Sequence, residues 1–194
     1  MDKKDFKIYI VGAGVSGLVA AQVLENQGYQ PVILEASDRA GGRVKTDIKN
    51  GFQLGHGFQV LLSSYPAAQK YLDFKALKLQ ELKPGAVIFN NGKQQIIGDP
   101  LRDISTLFST LFSGIGTLSD KFKIFQLNLK LKNKSIEAIF SSDEISTKVY
   151  LQEFGFSSQI ITQFFTPFFT GIFLENELTT SSRMFEFVFK MFGE

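Results

Sequence analysis

The chain has 194 residues, of which 44% are hydrophobic and 21% are charged, so a disordered or collagen-like chain is excluded. Its formal net charge of +2 gives no general electrostatic reason to expect nucleic acid or an anionic membrane as a partner. Because there is no cysteine and only one histidine, disulfides, thiolate nucleophiles and sulfur-ligated zinc are excluded as well.

The start of the chain is charged, and the apolar run over 8–11 is too short for the core of a signal peptide. This pattern predicts a cytoplasmic protein. The most apolar later window, 160–174, is interrupted by Gln163 and Pro167 and is too short to cross a bilayer. We therefore expect no transmembrane helix.

The first predicted elements form a strand-helix-strand unit. A short buried strand over 6–11 precedes a helix over 16–27, and a second β-branched strand follows over 30–35. Gly28 is placed to end the helix in a left-handed conformation. After this unit the alternation stops, and we expect a polar loop to about Asn50.

The predicted elements after Asn50 are of a different type. An extended segment over 51–62 and a short helix over 66–71 precede a hairpin signal, Asn91-Gly92, between two apolar runs. Beyond it, the pattern predicts helices, and 16 of the 21 phenylalanines lie after residue 100. Asp99-Pro100 is predicted to start the first of these helices, over 101–111. Further helices are predicted over 118–132, 143–154, 157–165 and 181–192.

The glycine pattern after the first strand has the spacing of a dinucleotide-binding turn. Gly12 allows a tight turn, Gly14 lets a pyrophosphate approach the backbone, and Gly17 allows close packing of the helix. The start of the helix offers N–H groups and a positive dipole end to phosphates. Glu35, 23 residues after Gly12, can accept hydrogen bonds from a ribose, which favours FAD or NAD over NADP.

The next residues distinguish the two cofactors. The sequence Glu35-Ala36-Ser-Asp-Arg39-Ala-Gly41-Gly42-Arg43 resembles the signature of the flavin amine oxidase superfamily, which includes protoporphyrinogen oxidase and the carotenoid desaturases. The resemblance implies FAD as the cofactor, with Arg43 pairing with its diphosphate and Arg39 supporting the loop. A surface salt bridge is the alternative role for Arg43.

A second segment, 52–58, is similar to the stretch of this family that passes the flavin end of the cofactor. Gln53 stands where the family usually has Asp, and His56 is either a residue near the flavin or a structural histidine. The resemblance implies no metal and leaves the catalytic residues unassigned. The predicted cofactor-binding residues are Gly12, Ala13, Gly14, Val15, Ser16, Gly17, Glu35, Ala36, Arg39, Gly41, Gly42, Arg43, His56, Gly57 and Phe58.

The resemblance implies an α/β fold in two parts. Residues 1–75 would be the N-terminal part of a Rossmann-like FAD-binding domain with an incomplete sheet, and 76–194 an inserted, mainly helical α+β substrate domain, itself incomplete. Five lysines between 121 and 134 form a solvated helix face or contact lipid headgroups. On the final helix, Arg183, Glu186 and Lys190 form a narrow polar stripe among apolar residues.

The function that the resemblance implies is FAD-dependent oxidation of a C–N or C–C bond in a small substrate, which the phenylalanine content suggests is apolar. Two alternatives stay open. One is an NAD-binding enzyme that uses only the strand-helix-strand unit. The other is a truncated or split half-domain that is inactive alone and acts as an interaction subunit, completed by another chain or by a missing C-terminal half.

Overall fold

The computed structural model describes residues 2–57, 60–90, 92–98, 110 and 113–193. By its internal contacts the chain divides into two compact units, Met1–Leu72 and Asp73–Glu194. The first unit contains two small sheets and short helices, and the second contains a hairpin followed by helices. Each unit is described separately below.

The first unit begins with the predicted strand-helix-strand order. Strand β1 (Tyr9–Val11) pairs in parallel with β2 (Val32–Leu34), and helix α1 (Val15–Asn26) connects them. Gly28 has φ +88° and its N–H bonds to the carbonyl of Glu25, so it ends the helix as predicted. The strand-helix-strand prediction is confirmed, although both strands are shorter than expected and the first, predicted as buried, is exposed at Tyr9 and Val11.

A hairpin follows, so the loop predicted to Asn50 was wrong over 46–49, whereas the second strand lies within the extended segment predicted over 51–62. Strand β3 (Thr46–Lys49) pairs antiparallel with β4 (Phe52–Gly55). The turn residues Asn50 and Gly51 have φ +52° and +82°, which are the signs that a type I′ hairpin requires. The Asn-Gly pair was the signal that could have predicted this hairpin. Helix α2 (Pro66–Tyr71) ends the unit and has the predicted bounds.

The second unit starts with helix α3 (Phe74–Leu77), capped by the Asp73 side chain, which the sequence did not predict. The predicted hairpin is confirmed: β5 (Gly85–Asn90) pairs with β6 (Lys93–Gly98) through a two-residue loop. The helix predicted from Asp99-Pro100 over 101–111 lies outside the described residues, apart from position 110.

The rest of the second unit is helical. Helix α4 (Leu118–Lys132) has the predicted bounds, and α8 (Thr166–Phe173) continues from α7 (Ser158–Ile160) through one turn of π-helix (Ile161–Phe165). Ser135, Ser146 and Ser157 each cap the start of a helix with a side-chain oxygen. The helices are α4 (Leu118–Lys132), α5 (Ile136–Phe140), α6 (Thr147–Glu153), α7 (Ser158–Ile160), α8 (Thr166–Phe173) and α9 (Ser182–Gly193).

Aromatic side chains dominate the core of this unit. Phe165 lies at its centre and packs against Phe156, Phe169 and Phe185 with ring centroids 4.9 to 6.4 Å apart. These four rings are buried, and leucine side chains from α4 and α6 complete the cluster. Offset and edge-to-face ring contacts add stability beyond the burial of apolar area. Most of the late phenylalanines that the structure describes are at least partly buried, as the sequence predicted.

Two of the three residues in the polar stripe predicted on α9, Glu186 and Lys190, lie inside the fold rather than in solvent. Glu186 is only 3% exposed and accepts hydrogen bonds from the Tyr150 hydroxyl at 2.8 Å and from Lys134 Nζ at 2.5 Å. The Lys190 Nζ atom donates to the carbonyl of Leu131 at 3.0 Å, near the end of α4. Helical periodicity identified the stripe correctly, but it did not predict that partners on distant helices would bury Glu186 and Lys190.

Candidate functional site

The glycine-rich turn between β1 and α1 leaves space for a Cβ atom at Gly14 but none at Gly17. A Cβ atom on Gly14, the N-cap of α1, would meet nothing within 4 Å. On Gly17 it would lie 2.0 Å from the carbonyl oxygen of Gly12. Gly12 has φ +96° and its N–H bonds to the Leu34 carbonyl at 2.7 Å, which joins the turn to β2. The turn therefore has the packing expected of a site that phosphates approach over Gly14.

Glu35 lies directly against this turn. Its Oε2 atom accepts a hydrogen bond from the backbone N–H of Ala13 at 2.6 Å, and Oε1 accepts from the Ser37 N–H and hydroxyl at 2.8 and 2.7 Å. The Ala13 bond, and after it the Ser37 bonds, lower the pKa of Glu35 to about 2. Glu35 is thus ionised at neutral pH. An ionised carboxylate is a hydrogen-bond acceptor for a ligand hydroxyl.

The second glycine pair closes against the first turn. The Gly41 N–H donates to the Ala13 carbonyl at 2.8 Å, and Gly14 and Gly41 form a parallel β-bridge. Gly41 and Gly42 have φ +124° and +53°, and a Cβ on Gly42 would lie 3.3 Å from Gly14 Cα. Backbone groups from both glycine loops therefore meet at the start of α1, where side chains would obstruct a ligand.

The two arginines of the signature have different surroundings. Arg39 forms an ion pair with Asp47 on β3. The guanidinium of Arg43 is exposed and has no ion pair or hydrogen bond with any of the residues that the structure describes. The salt bridge considered as the alternative role for Arg43 is therefore absent within that set. Its donors are available to an anionic ligand.

The second predicted segment is connected to the same loop through Asp47, which the sequence did not single out. His56 Nε2 lies 2.7 Å from Asp47 Oδ2, and the His56 N–H donates to the Lys45 carbonyl at 2.9 Å. The His56 bond and the charges of His56 and Arg39 lower the pKa of Asp47 despite partial desolvation. Asp47 was missed because the hairpin that brings it near Arg39 and His56 was missed.

Gly57 and Arg43 also meet, because a Cβ on Gly57 would lie 2.4 Å from the Arg43 carbonyl oxygen. Phe58, the last predicted site residue, lies outside the described residues. The structure thus brings the glycine turn, Glu35 and the Gly41-Gly42 loop together, and connects His56 and Gly57 to that loop. Within the described residues, no group of three acidic or histidine side chains could hold a metal ion.

A shallow groove of about 300 Å³ lies beside the turn and is lined by Val11, Gly12, Leu34, Glu35 and Ala36. An apolar wall with one carboxylate fits an adenosine, whose base is apolar on its faces and whose ribose donates hydrogen bonds. The adjoining helix start and exposed guanidinium fit a diphosphate. The residues present therefore fit the adenosine diphosphate half of FAD.

A comparison with known protein families shows which family the chain belongs to. The family model described as flavin containing amine oxidoreductase matches residues 15–194. The chain belongs to this family. Because the family is flavin-dependent, the predictions of an amine-oxidase-type flavoprotein and of FAD as its cofactor are confirmed, and the NAD-binding alternative is not supported.

Curated relatives match this chain over different lengths. The chain is 26% identical over 167 residues to protoporphyrinogen oxidase 2 of Arabidopsis thaliana, which covers 85% of this chain and 32% of the relative. It is 46% identical over 77 residues to the L-amino acid oxidase of Bothrops pictus, covering 39% of this chain and 16% of the relative. The chain spans a third or less of the length of these relatives.

Solved structures agree on the fold. A redesigned putrescine oxidase matches 97% of this chain and 43% of its own length with a TM-score of 0.65 and 20% identity. A protein described as a possible protoporphyrinogen oxidase from Exiguobacterium matches 86% and 38% with a TM-score of 0.53 and 21% identity. At these identities the likeness shows the fold of the flavin amine oxidases. In the described part of the chain, no helix is long and apolar enough to cross a membrane.

Proposed function

We propose that this chain holds the adenosine diphosphate half of FAD in an oxidoreductase of the amine oxidase type. The observation that carries the proposal is the meeting of three segments at Ala13. Its N–H donates to Glu35, its carbonyl accepts from Gly41, and it immediately precedes the open N-cap glycine of α1. This arrangement presents backbone donors, an ionised acceptor and a helix start to one ligand.

Each residue of the site has a defined task in this proposal. Gly14 and the first turn of α1 receive the diphosphate, and Arg43 pairs with it through the donors that have no partner among the described residues. Glu35, ionised at neutral pH, accepts a hydrogen bond from a ribose hydroxyl. Gly17 keeps α1 close to β1 so that these groups stay aligned. Arg39 and His56 act through Asp47 and support the loop.

The flavin would supply the redox chemistry, removal of a hydride equivalent from a C–N or C–C bond of a small, apolar substrate. In this proposal the chain's first unit belongs to the FAD-binding domain, with the boundary predicted near residue 75, and the second unit to an inserted substrate domain. The protein's own contribution is to bind and orient the cofactor, which is why no catalytic residue is assigned. A cytoplasmic location stays a prediction, since one relative is named as chloroplastic or mitochondrial.

Flavin binding by the isolated chain tests the proposal. We expect FAD to bind with its absorbance near 450 nm retained, and ADP to compete with it, because the proposed contacts are with the ADP half. Glu35→Gln should weaken binding about tenfold or more, since it removes a charged acceptor. Glu153→Gln, an exposed residue of the second unit, is the control. FAD binding that ADP does not reduce would contradict the assigned contacts.

A second candidate, a half-domain that needs a complementing chain for activity, is favoured by one observation. On the sheet face formed by Tyr9, Val11, Val32 and Leu34, these side chains are 50 to 87% exposed. Parallel sheets are normally covered on both faces. If this candidate is right, the isolated chain should associate in solution and bind FAD weakly, whereas a monomer saturated with FAD and melting cooperatively would exclude it.

A further inference from the structure

Asp47 on β3 is bonded to two segments that are separate in the sequence. Its Oδ1 atom accepts a hydrogen bond from the guanidinium of Arg39, and its Oδ2 atom lies 2.7 Å from Nε2 of His56. Because an ionised carboxylate only accepts hydrogen bonds, the His56 Nε2 atom carries the hydrogen of this pair. One carboxylate therefore joins the loop before β3 to the residue that follows β4.

Arg43 lies on a tight turn, Gly42–Val44, that is anchored on both sides. Arg39 lies just before this turn and is held by Asp47. On the other side, a Cβ atom on Gly57 would lie 2.4 Å from the Arg43 carbonyl oxygen, so the backbones of the two segments are in close contact. Gly57 directly follows the histidine that Asp47 holds. Both anchors of the turn therefore depend on one carboxylate.

The direction of the Arg43 side chain depends on the backbone of this turn. Within the part of the chain that the structure describes, its guanidinium has no ion pair or hydrogen bond that would fix it. The guanidinium of Arg39, in contrast, is fixed by Asp47. A long side chain loses conformational entropy when it binds a ligand, and a backbone that already points it at the ligand lowers that cost.

We infer that Asp47 is a positioning residue for the arginine that pairs with the diphosphate. By holding Arg39 and His56, it keeps the turn of Arg43 beside the start of α1. This inference rests on the proposed function, since it concerns the same diphosphate. It also predicts the opposite of a simple charge effect. A carboxylate near a diphosphate repels it, so loss of the charge alone would strengthen binding, whereas loss of the positioning weakens it.

Two matched substitutions in the full chain separate these effects. Asp47→Asn removes the charge and leaves one acceptor oxygen in place of two, so it cannot hold both partners as the carboxylate does. Asp38→Asn makes the same change in the same loop, at an exposed carboxylate that pairs with Lys45 at 3.2 Å. In calorimetric titration with ADP, we expect Asp47→Asn to lower the affinity about fivefold. Asp38→Asn should leave it unchanged or raise it slightly.

Adenosine shows whether the effect is confined to the diphosphate. It lacks the group that Arg43 contacts, so Asp47→Asn should bind adenosine as the parent chain does, measured by saturation-transfer NMR. A general loss of structure would weaken both ligands. A double-mutant cycle gives the second readout: in an Arg43→Gln background, Asp47→Asn should lower the ADP affinity by less than about twofold more, because the residue through which it acts is gone.

The outcomes distinguish this inference from the proposed function. A parent chain that binds neither FAD nor ADP would overturn the proposed function and the role of Asp47 with it. Where the parent chain binds ADP, three results would overturn the role of Asp47 alone. These are an ADP affinity of Asp47→Asn equal to or above that of the parent chain, an equal loss for adenosine, and a full further loss in the Arg43→Gln background.

Discussion

The Oε2 atom of Glu35 accepts a hydrogen bond from the backbone N–H of Ala13 at 2.6 Å, which joins the end of β2 to the glycine-rich turn before α1. The glycine-rich turn contains Ala13 and the family signature begins at Glu35, but neither pattern says that the two residues touch. The contact explains how a carboxylate at the end of one strand is held ionised over the turn that follows another. The pKa of Glu35 therefore reports whether the site is formed.

Glu35 should titrate far below an ordinary glutamate. The Ala13 bond and then the Ser37 bonds lower its pKa from 4.5 to about 2, so their contribution to stability is present above pH 4.5 and is lost as the pH falls towards 2. A carbon-13 NMR titration of the carboxyl group measures this pKa. Ser37→Ala should raise it, because the substitution removes the hydrogen bond from the Ser37 hydroxyl and leaves the one from the Ser37 backbone N–H. An unshifted pKa in the parent chain would mean that the Ala13 contact does not form.

Asp120 should make the second unit sensitive to acid. Burial alone would raise its pKa, but the bonds from Ser157 and Thr117 prevail and lower it from 3.8 to about 2. The carboxylate's stabilising contribution is therefore complete above pH 3.8 and is lost as the pH falls to about 2. Urea unfolding across this range should show a decrease of about 2 kcal/mol. In Asp120→Asn most of that pH dependence should disappear, and its persistence would refute the assignment.

Glu186 should be costly to truncate because it is a buried charge with three neighbours. It bonds to Lys134 and Tyr150, and Lys130 Nζ lies 3.9 Å from its Oε1. Burial, followed by the bond to Glu186, raises the pKa of Tyr150 well above its ordinary range. We expect Glu186→Ala to lower the free energy of unfolding by about 3 to 5 kcal/mol. Glu153→Ala, at an exposed position, should change it by less than about 0.5 kcal/mol, and similar losses in both would contradict this role.

Gly17 should not tolerate a methyl group, whereas another helical glycine should. The Cβ of Gly17→Ala would lie 2.0 Å from the Gly12 carbonyl oxygen, so the helix or the turn must move. A loss of about 2 kcal/mol or more is expected in urea unfolding of the first unit. At Gly171 on α8 the added Cβ meets nothing within 4 Å, and Gly171→Ala should be neutral or stabilising. A neutral Gly17→Ala would show that α1 is not packed as described.

Local sequence patterns predicted most of the elements but not their long-range partners. The Asn91-Gly92 hairpin, α2 and α4 follow from turn chemistry and periodicity, which act over a few residues. The β3–β4 hairpin was missed although Asn50-Gly51 has the same chemistry, because its strands are short and largely polar. Their apolar residues Ile48 and Phe52 are exposed and belong to no core. Asp47 was missed with it. No local sequence pattern predicts that Asp47 pairs with Arg39 and His56.

The same limit applies to charged residues in the second unit. Glu186 and Lys190 fall on a polar stripe that periodicity identifies, yet helix position alone cannot distinguish a solvated stripe from a buried one. The choice is made by Tyr150 and Lys134, which are 36 and 52 residues away from Glu186 in the chain. On α4 the opposite occurs, since apolar residues that periodicity would place in a core remain outside. Both cases are decided by tertiary packing.

Binding of FAD to a Gly14 variant tests the central claim most directly. A Cβ atom at Gly14 would meet no protein atom within 4 Å, so we expect Gly14→Val to leave the first unit folded while its side chain fills the space assigned to the diphosphate. We predict that flavin titration of the parent chain is saturable and competed by ADP, and that Gly14→Val lowers the affinity at least about a hundredfold. Gly171→Ala should bind as the parent does. Equal FAD affinity in the parent chain and in a folded Gly14→Val variant would contradict the account.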